Sequence, residues 1–234
     1  MLLPGSGSDA QFVRRAFAGP LAALGIGLHA VPAPLGRDPV GHYGAALDAV
    51  LDQEPGPLLV GGISLGAHIA AGWVAALPPE RRPAGLLLAL PAWRGPAEGA
   101  PAALAARLTA ARVRAEGVAG ALAAAGAGGA PAWLVAELAR AWAGYGDGLA
   151  DALDAAATTP GPDDHTLAGL AVPTGIAALH DDPIHPHAEA VAWAARLPTA
   201  ALCTATFAAF GTDPEVIGRA ALLAWLRALP TPPP

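Results

Sequence analysis

The stretch LLVGGISLGAHIAAGW, residues 58–73, decides how the rest of the chain is interpreted. It begins with a short apolar run and ends in a longer Ala-rich amphipathic run. Between the two, Gly62, Ser64 and Gly66 give the pattern G-x-S-x-G, which predicts a strand, a tight turn and a helix. In such a turn a strained backbone exposes the serine hydroxyl, and the glycines let strand and helix approach without Cβ clashes. The following helix N-terminus adds N–H groups and a partial positive charge.

The distribution of serine supports this interpretation. The chain has only three serines, Ser6, Ser8 and Ser64, against 29 glycines. For that composition, roughly 0.05 matches to the pattern are expected by chance along the whole chain. Serine is retained at two places only, after the first apolar run and inside the motif. The alternative is that Ser64 is merely a small residue in a tight turn.

Six short apolar runs alternate with longer Ala-rich stretches along the chain. The apolar runs, predicted as strands, cover residues 1–3, 27–31, 58–63, 85–90, 174–179 and 200–207. The predicted helices between them cover residues 10–24, 40–51, 65–77, 187–196 and 214–229. Unbroken apolar strands alternating with helices predict an α/β fold, with a mostly parallel sheet that helices cover on both faces.

Residues 94–167 interrupt this alternation and are predicted to form a small helical cap inserted between two strands. The core would then consist of residues 1–93 and 168–234. The cap segment carries three large aromatic side chains, Trp133, Trp142 and Tyr145. We interpret them as packing residues, because a large ring lets a short Ala-rich helix bury apolar area; the alternative is that they stack on a ligand.

The composition excludes several functional classes. The chain has 234 residues, 54% of them hydrophobic, and a formal net charge of −6, which argues against disorder and indicates one compact domain. Its 13 basic residues, all arginine, face 19 acidic ones, so nucleic acid is not predicted as a partner. The single cysteine, Cys203, excludes an internal disulfide and a cysteine-cluster metal site. The sequence predicts neither a metal nor a cofactor.

The sequence also argues against a membrane protein. The uncharged run 57–79 is long enough to span a bilayer, but its centre holds several glycines, Ser64 and His68, so we interpret it as a buried strand, turn and helix. The start, MLLPGSGSD, has neither a basic region nor a long apolar core, so no signal peptide is predicted. We therefore expect a cytoplasmic protein.

In these motifs and in their order, the chain resembles the α/β-hydrolase family over nearly its whole length. The resemblance implies that MLLPGSGS is a core strand running into an oxyanion loop, with Pro4-Gly5 where the family usually has His-Gly. The backbone N–H groups of Ser6 and Leu65 would then form the oxyanion hole. The late segment VPTGIAALHDDPIHP is similar to the family's acid-bearing strand end, which implies Asp182 as the triad acid and Asp181 as the second choice. The alternative for this pair is a solvated turn that ends a strand.

The triad histidine is where the chain departs from the family. The family's base lies in the loop after the last strand, which here reads FAAFGTDPE, with Thr212 or its neighbours in the expected place. Threonine cannot accept and return a proton near neutral pH as imidazole does. We select His185, three residues after Asp182, because a single loop could then carry both the base and the carboxylate that orients it. The alternative is that His185 only stiffens an Ile-His-Pro turn.

The other six histidines are weaker candidates. His68 lies one helical turn beyond Ser64 and is predicted to be a packing residue that points away from the hydroxyl. Three more fall near the carboxyl edge of the predicted sheet, and two are expected to face solvent or to cap helices. The three near the carboxyl edge are His29, His180 and His187, and the two expected to face solvent or to cap helices are His42 and His165.

Two functions follow from the sequence. The first is a serine hydrolase acting on a small ester or thioester through an acyl-enzyme on Ser64, with Asp182 and His185 completing the triad. The second is a non-catalytic homologue that keeps the scaffold and binds a small apolar ligand or a protein partner. The motif favours the hydrolase, with a small molecule as substrate. The oligomeric state is not predicted.

Overall fold

The structure, a computed structural model, describes residues 1–54 and 56–230. Among these residues, five strands form one sheet in the order β1-β2-β3-β4-β5, with every neighbouring pair parallel. The strands are β1 (Leu2–Leu3), β2 (Leu59–Ile63), β3 (Gly85–Ala89), β4 (Thr174–Leu179) and β5 (Ala200–Ala205). The predicted parallel α/β sheet is confirmed.

Ten α-helices accompany the sheet in the described part of the chain. They are α1 (Ala10–Ala22), α2 (Pro39–Gln53), α3 (Leu65–Ala76), α4 (Pro101–Ala127), α5 (Ala132–Trp142), α6 (Leu149–Thr158), α7 (Asp164–Ala168), α8 (His187–Arg196), α9 (Phe207–Thr212) and α10 (Glu215–Ala228). Each of the five helices predicted outside the cap is present, with ends that differ by up to two residues. The short helix α9 was not predicted.

One predicted strand is wrong. Residues 27–31 contribute only an isolated bridge, in which Ala30 pairs with Leu2. Pro32 and Pro34 follow at once, and a proline has no N–H to continue a ladder. The segment therefore lies beside β1 without forming a sixth strand.

Side chains that alternate along each strand divide the core into two layers. On one face, Leu86 and Leu88 of β3 pack in a cluster with buried residues of α2, α3 and α8. On the other face, Leu87 and Ala89 pack with buried residues of α1 and α10. Because both faces are covered, every strand can be apolar throughout, as the unbroken runs in the sequence predicted.

Helices α4 to α7 lie between β3 and β4 in the chain. Buried residues of α4, α5 and α6 form a third apolar cluster with Tyr145, which follows α5, and with Trp93. The chain enters and leaves this region at neighbouring points, since the Gly161 N–H donates to the Gly95 carbonyl at 2.8 Å. None of the described helices is long and apolar enough to cross a membrane.

Candidate active site

Ser64 lies at a sharp turn between β2 and α3. β2 ends at Ile63 and α3 begins at Leu65, and Ser64 itself has φ 51° and ψ −114°. A positive φ is costly for a residue with a side chain and persists only where the surroundings enforce it. The surroundings include β3, because the Ser64 N–H donates to the Ala89 carbonyl at 2.8 Å.

The two motif glycines make this turn possible. A Cβ on Gly62 would lie 2.6 Å from the Gly66 carbonyl carbon and 2.7 Å from the Leu3 oxygen. A Cβ on Gly66 would lie 2.5 Å from the same Leu3 oxygen. All three distances are shorter than a real Cβ contact, so β1, β2 and α3 approach this closely only with glycine at both positions.

The loop between β4 and α8 carries both an acid and a histidine. Asp182 Oδ1 accepts the Ile184 N–H at 2.8 Å and the His185 N–H at 3.2 Å, a side-chain turn typical of aspartate. The other oxygen, Oδ2, lies 2.8 Å from His185 Nδ1. Pro183 between them has a fixed φ and no N–H, which favours this turn. The turn formed by residues 182–185 therefore fixes the carboxylate and the imidazole relative to each other.

The imidazole also reaches the serine. His185 Nε2 lies 3.1 Å from Ser64 Oγ, across 121 positions of sequence. An ionised carboxylate can only accept, so the His185 Nδ1–H donates to Asp182, and Nε2 is left to accept the Ser64 hydroxyl proton. Ser64 is 8% exposed and the Asp182 side chain 4% exposed. The structure thus brings together the three predicted side chains in the order acid, base, hydroxyl.

Asp182 is held in its charged form. Burial by itself would raise the pKa of this carboxyl, but the hydrogen bond and charge of the His185 ring oppose burial. Hydrogen bonds from the Ile184 and His185 N–H groups add to this effect, and the pKa of Asp182 lies below its usual value. A carboxylate that stays ionised keeps His185 in the tautomer that can accept from serine.

Asp181 and Thr212 do not reach Ser64 through any hydrogen bond in the described structure. Asp181 Oδ1 instead accepts the Phe207 N–H at 2.6 Å, at the start of α9. The Thr212 hydroxyl donates to the Ala208 carbonyl within α9. The segment where the family's histidine would lie is therefore a short helix.

The sequence predicts His68 as a packing residue, and the structure adds a hydrogen bond to its ring. It is 2% exposed, and its Nε2 accepts the Ala92 N–H at 3.0 Å. Its ring lies against Trp93 and Trp193, with centroids 4.5 and 5.4 Å away. Burial, with a smaller effect from the charge of His185, lowers the pKa of His68 to about 3. This histidine therefore stays neutral near neutral pH and connects α3 to the segment after β3.

The N-terminal segment lies against the turn that carries Ser64. A Cβ on Gly5 would be 3.4 Å from the Ser64 Cβ. Among the described residues, neither the Ser6 N–H nor the Leu65 N–H has a hydrogen-bond partner. Both groups therefore remain free to donate. Ser6 is exposed, and Leu65 is the first residue of α3.

A separate cavity of about 370 Å³ lies between α1, α5 and α9 and does not border Ser64. Phe12, Trp133 and Phe210 contribute aromatic walls. Arginine and glutamate side chains at its rim pair with each other. Among the described residues, no group of three or more His, Cys, Asp or Glu side chains could hold a metal ion.

Comparison with solved structures identifies the architecture. An esterase from Thermogutta terrifontis superposes with a TM-score of 0.67 at 22% identity, covering 97% of this chain and 88% of the esterase. An α/β-hydrolase from Sphaerobacter thermophilus gives 0.57 at 21% identity, covering 93% and 88%. The chain has the α/β-hydrolase fold. A candidate non-heme bromoperoxidase from Mycobacterium tuberculosis has the same architecture, with a TM-score of 0.68 at 17% identity, covering 98% and 92%.

At these identities the likeness of this α/β-hydrolase fold to its neighbours concerns architecture alone. No protein-family model matches the chain, and no protein with a curated description matches it significantly. Its chemistry therefore has to be inferred from the site itself.

Proposed function

We propose that this protein is a serine hydrolase that cleaves a small carboxylic ester or thioester through an acyl-enzyme on Ser64. The observation that carries the proposal is the unbroken series of contacts from Asp182 to His185 at 2.8 Å and from His185 to Ser64 Oγ at 3.1 Å. A serine hydroxyl is a weak nucleophile until a base accepts its proton, and this series supplies the base and the group that orients it.

Acylation begins when Ser64 Oγ attacks the substrate carbonyl carbon and its proton moves to His185 Nε2. The carbonyl oxygen becomes negative, and the free N–H groups of Ser6 and Leu65 donate to it. The tetrahedral intermediate then collapses, the bond to the alkoxide or thiolate breaks, and the His185 proton passes to that leaving group. Asp182 stabilises the charged imidazole throughout without accepting its proton.

Deacylation repeats these steps with water. His185 Nε2 takes a proton from a water molecule, whose oxygen attacks the acyl carbon on Ser64. A second tetrahedral intermediate collapses, the Ser64 Oγ–carbon bond breaks, and the proton returns from His185 to Oγ. The products are a carboxylic acid and an alcohol or thiol, so the net reaction consumes one water.

The class of reaction is supported by the residue at the turn. A serine forms an ester intermediate, whereas family members that open epoxides or remove halides attack through a carboxylate. The structural neighbour from Thermogutta terrifontis is described as an esterase, which agrees with this class. A small substrate is supported by the low exposure of Ser64.

Hydrolysis of p-nitrophenyl acetate, butyrate and octanoate tests the proposal. We expect turnover by the wild-type protein and a loss of about 10³-fold or more in kcat for Ser64→Ala. Thr158→Ala serves as the control, because it removes an exposed hydroxyl that only donates to carbonyls of α6. Equal rates for Ser64→Ala and wild type, or no turnover of any of the three esters, would contradict the proposal and favour a binding protein.

A further inference from the structure

The chain contains only two tyrosines, and their hydroxyls donate to the two ends of one short segment. The Tyr43 hydroxyl donates to the Pro4 carbonyl at 3.3 Å. The Tyr145 hydroxyl donates to the Ser8 carbonyl at 2.6 Å. Residues 4–8, called the oxyanion segment below, hold the Ser6 N–H that the proposed mechanism uses.

The two tyrosines approach the segment from different parts of the molecule. Tyr43 belongs to α2 and is fully buried in the core cluster that contains Leu3. Tyr145 follows α5 and is 6% exposed, within the cluster formed by α4 to α6. Burial raises the pKa of both phenols, so both hydroxyls remain donors at any pH at which the protein would work.

Two residues of α5, Arg140 and Trp142, also contact the oxyanion segment or the residue that follows it. Arg140 makes a two-pronged ion pair with Asp9, the residue after the segment, at 2.7 and 2.8 Å. Gly7 has φ 65°, and a Cβ there would lie 3.0 Å from Trp142 Nε1. Helix α5, which lies between β3 and β4 in the chain, therefore packs directly on the backbone next to Ser6.

We infer that Tyr43 and Tyr145 are positioning residues that hold the oxyanion segment at its two ends and so keep the Ser6 N–H aimed at the developing oxyanion. The inference rests on the proposed function. An oxyanion donor is effective only when it lies at hydrogen-bond distance from the position of the negative oxygen in the transition state. Loosening either end lets this donor move while the triad side chains stay in place.

The variants Tyr145→Phe and Tyr43→Phe test the inference, since each removes one hydroxyl and keeps the ring. Each has a matched control that removes another buried hydroxyl bonded to a backbone carbonyl away from the segment. For Tyr145 the control is Thr159→Val, whose hydroxyl donates to the Ala155 carbonyl at 2.8 Å. For Tyr43 it is Thr174→Val, whose hydroxyl donates to the Val172 carbonyl at 2.9 Å.

Two measurements are made on all four variants. The first is hydrogen exchange of the Ser8 amide, which donates to the Gly5 carbonyl and so reports opening of the segment. The second is kcat and KM for p-nitrophenyl acetate.

We expect faster Ser8 exchange in the tyrosine variants only. For Tyr145→Phe we expect kcat to be about 10-fold lower and KM to stay within about twofold of wild type. This fall in kcat is smaller than the fall expected when an oxyanion donor is removed altogether. Tyr43→Phe should have a smaller effect, because its hydrogen bond is longer.

Each outcome decides the inference separately from the proposed function. Ser8 exchange that is equal in the tyrosine and threonine variants overturns it, whatever the activities are. Faster exchange with unchanged kcat in an active enzyme overturns the positioning role as well. If the wild type has no esterase activity, the proposed function fails, and faster exchange confined to the tyrosine variants still supports their hold on the segment. If Tyr43→Phe does not fold, Tyr145→Phe alone decides.

Discussion

The loops that follow β4 and β5 lie side by side at the carboxyl edge of the sheet but differ in content. After β4, residues 180–186 form an irregular turn that carries Asp182 and His185 within hydrogen-bond distance of each other. After β5, Thr206 caps α9 by accepting the Ala209 N–H. The rings of α9 pack on their neighbours, with Phe210 5.9 Å from Phe12 of α1.

The proposed triad thus depends on where the three side chains meet and not on their order along the chain. In the family that this chain resembles, acid and base come from two loops and are brought together by the sheet. Here one turn of the backbone fixes both, and the loop after β5 is left to pack. The position of the proposed base, His185, therefore does not depend on β5, which is the edge strand of the sheet.

The largest expected effect is that of His185→Ala. Without this ring the Ser64 hydroxyl loses the nitrogen that lies 3.1 Å from it, so kcat for p-nitrophenyl acetate should fall about 10³- to 10⁴-fold. Steady-state kinetics and a thermal melt measure the effect and check the fold. Activity within tenfold of wild type would show that the loop after β4 does not supply the base.

A smaller effect is expected from Asp182→Asn, with its neighbour as the control. The amide cannot hold a charged imidazole, so kcat should fall about 10²- to 10⁴-fold with little change in KM. Asp181→Asn changes the carboxylate that accepts the Phe207 N–H, so it should cost about 1 kcal/mol or less of stability and leave kcat within twofold. The reverse result would move the triad acid to Asp181 and contradict the assignment.

His68, the buried histidine of α3, provides a test of whether burial keeps a side chain neutral. The pKa of His68 is about 3 in the folded state, against 6.5 for a free side chain. Between these values the unfolded chain binds more protons, so stability falls as the pH falls. From pH 7 to pH 5 this group should lower the free energy of unfolding by about 2 kcal/mol.

In His68→Gln this loss should be absent, so urea unfolding at the two pH values should show a weaker pH dependence than in wild type. Glutamine can still accept the Ala92 N–H through its amide oxygen, which makes it a conservative replacement. Equal pH dependence in both proteins would mean that His68 is not held neutral by burial.

The smallest effect is expected at Thr212, the position where the resemblance would put a histidine. Its hydroxyl donates only to a carbonyl of its own helix, so Thr212→Ala should leave kcat and KM within twofold of wild type. Kinetics with p-nitrophenyl acetate check this. A fall in kcat as large as that of Asp182→Asn would mean that the loop after β5 takes part in the chemistry.

The sequence predicted the parallel sheet and the turn at Ser64 well, because both depend on local pattern. Apolar runs and the spacing of Gly62 and Gly66 are visible without any knowledge of contacts. The strand predicted at 27–31 failed for a local reason also visible in the sequence, since Pro32 and Pro34 follow it. Only Ala30 retains a bridge there.

Contacts across the chain were harder to predict. Placing His185 near Ser64 required the order of β2 and β4 in the sheet, and the sequence could offer only the proximity of His185 to Asp182. The sequence predicts Tyr145 as a packing residue, and its ring is buried in the structure. Its hydroxyl contact with Ser8, 137 positions away, left no signal in the local pattern.

Covalent labelling of Ser64 by a fluorophosphonate tests the central claim most directly. The wild-type protein should gain one adduct, mapped by peptide mass spectrometry to Ser64, and Ser64→Ala should gain none. In His185→Ala the labelling rate should fall at least about 100-fold, because the hydroxyl has lost its base. An unlabelled Ser64 in the wild type, or equal labelling rates in wild type and His185→Ala, would contradict the account.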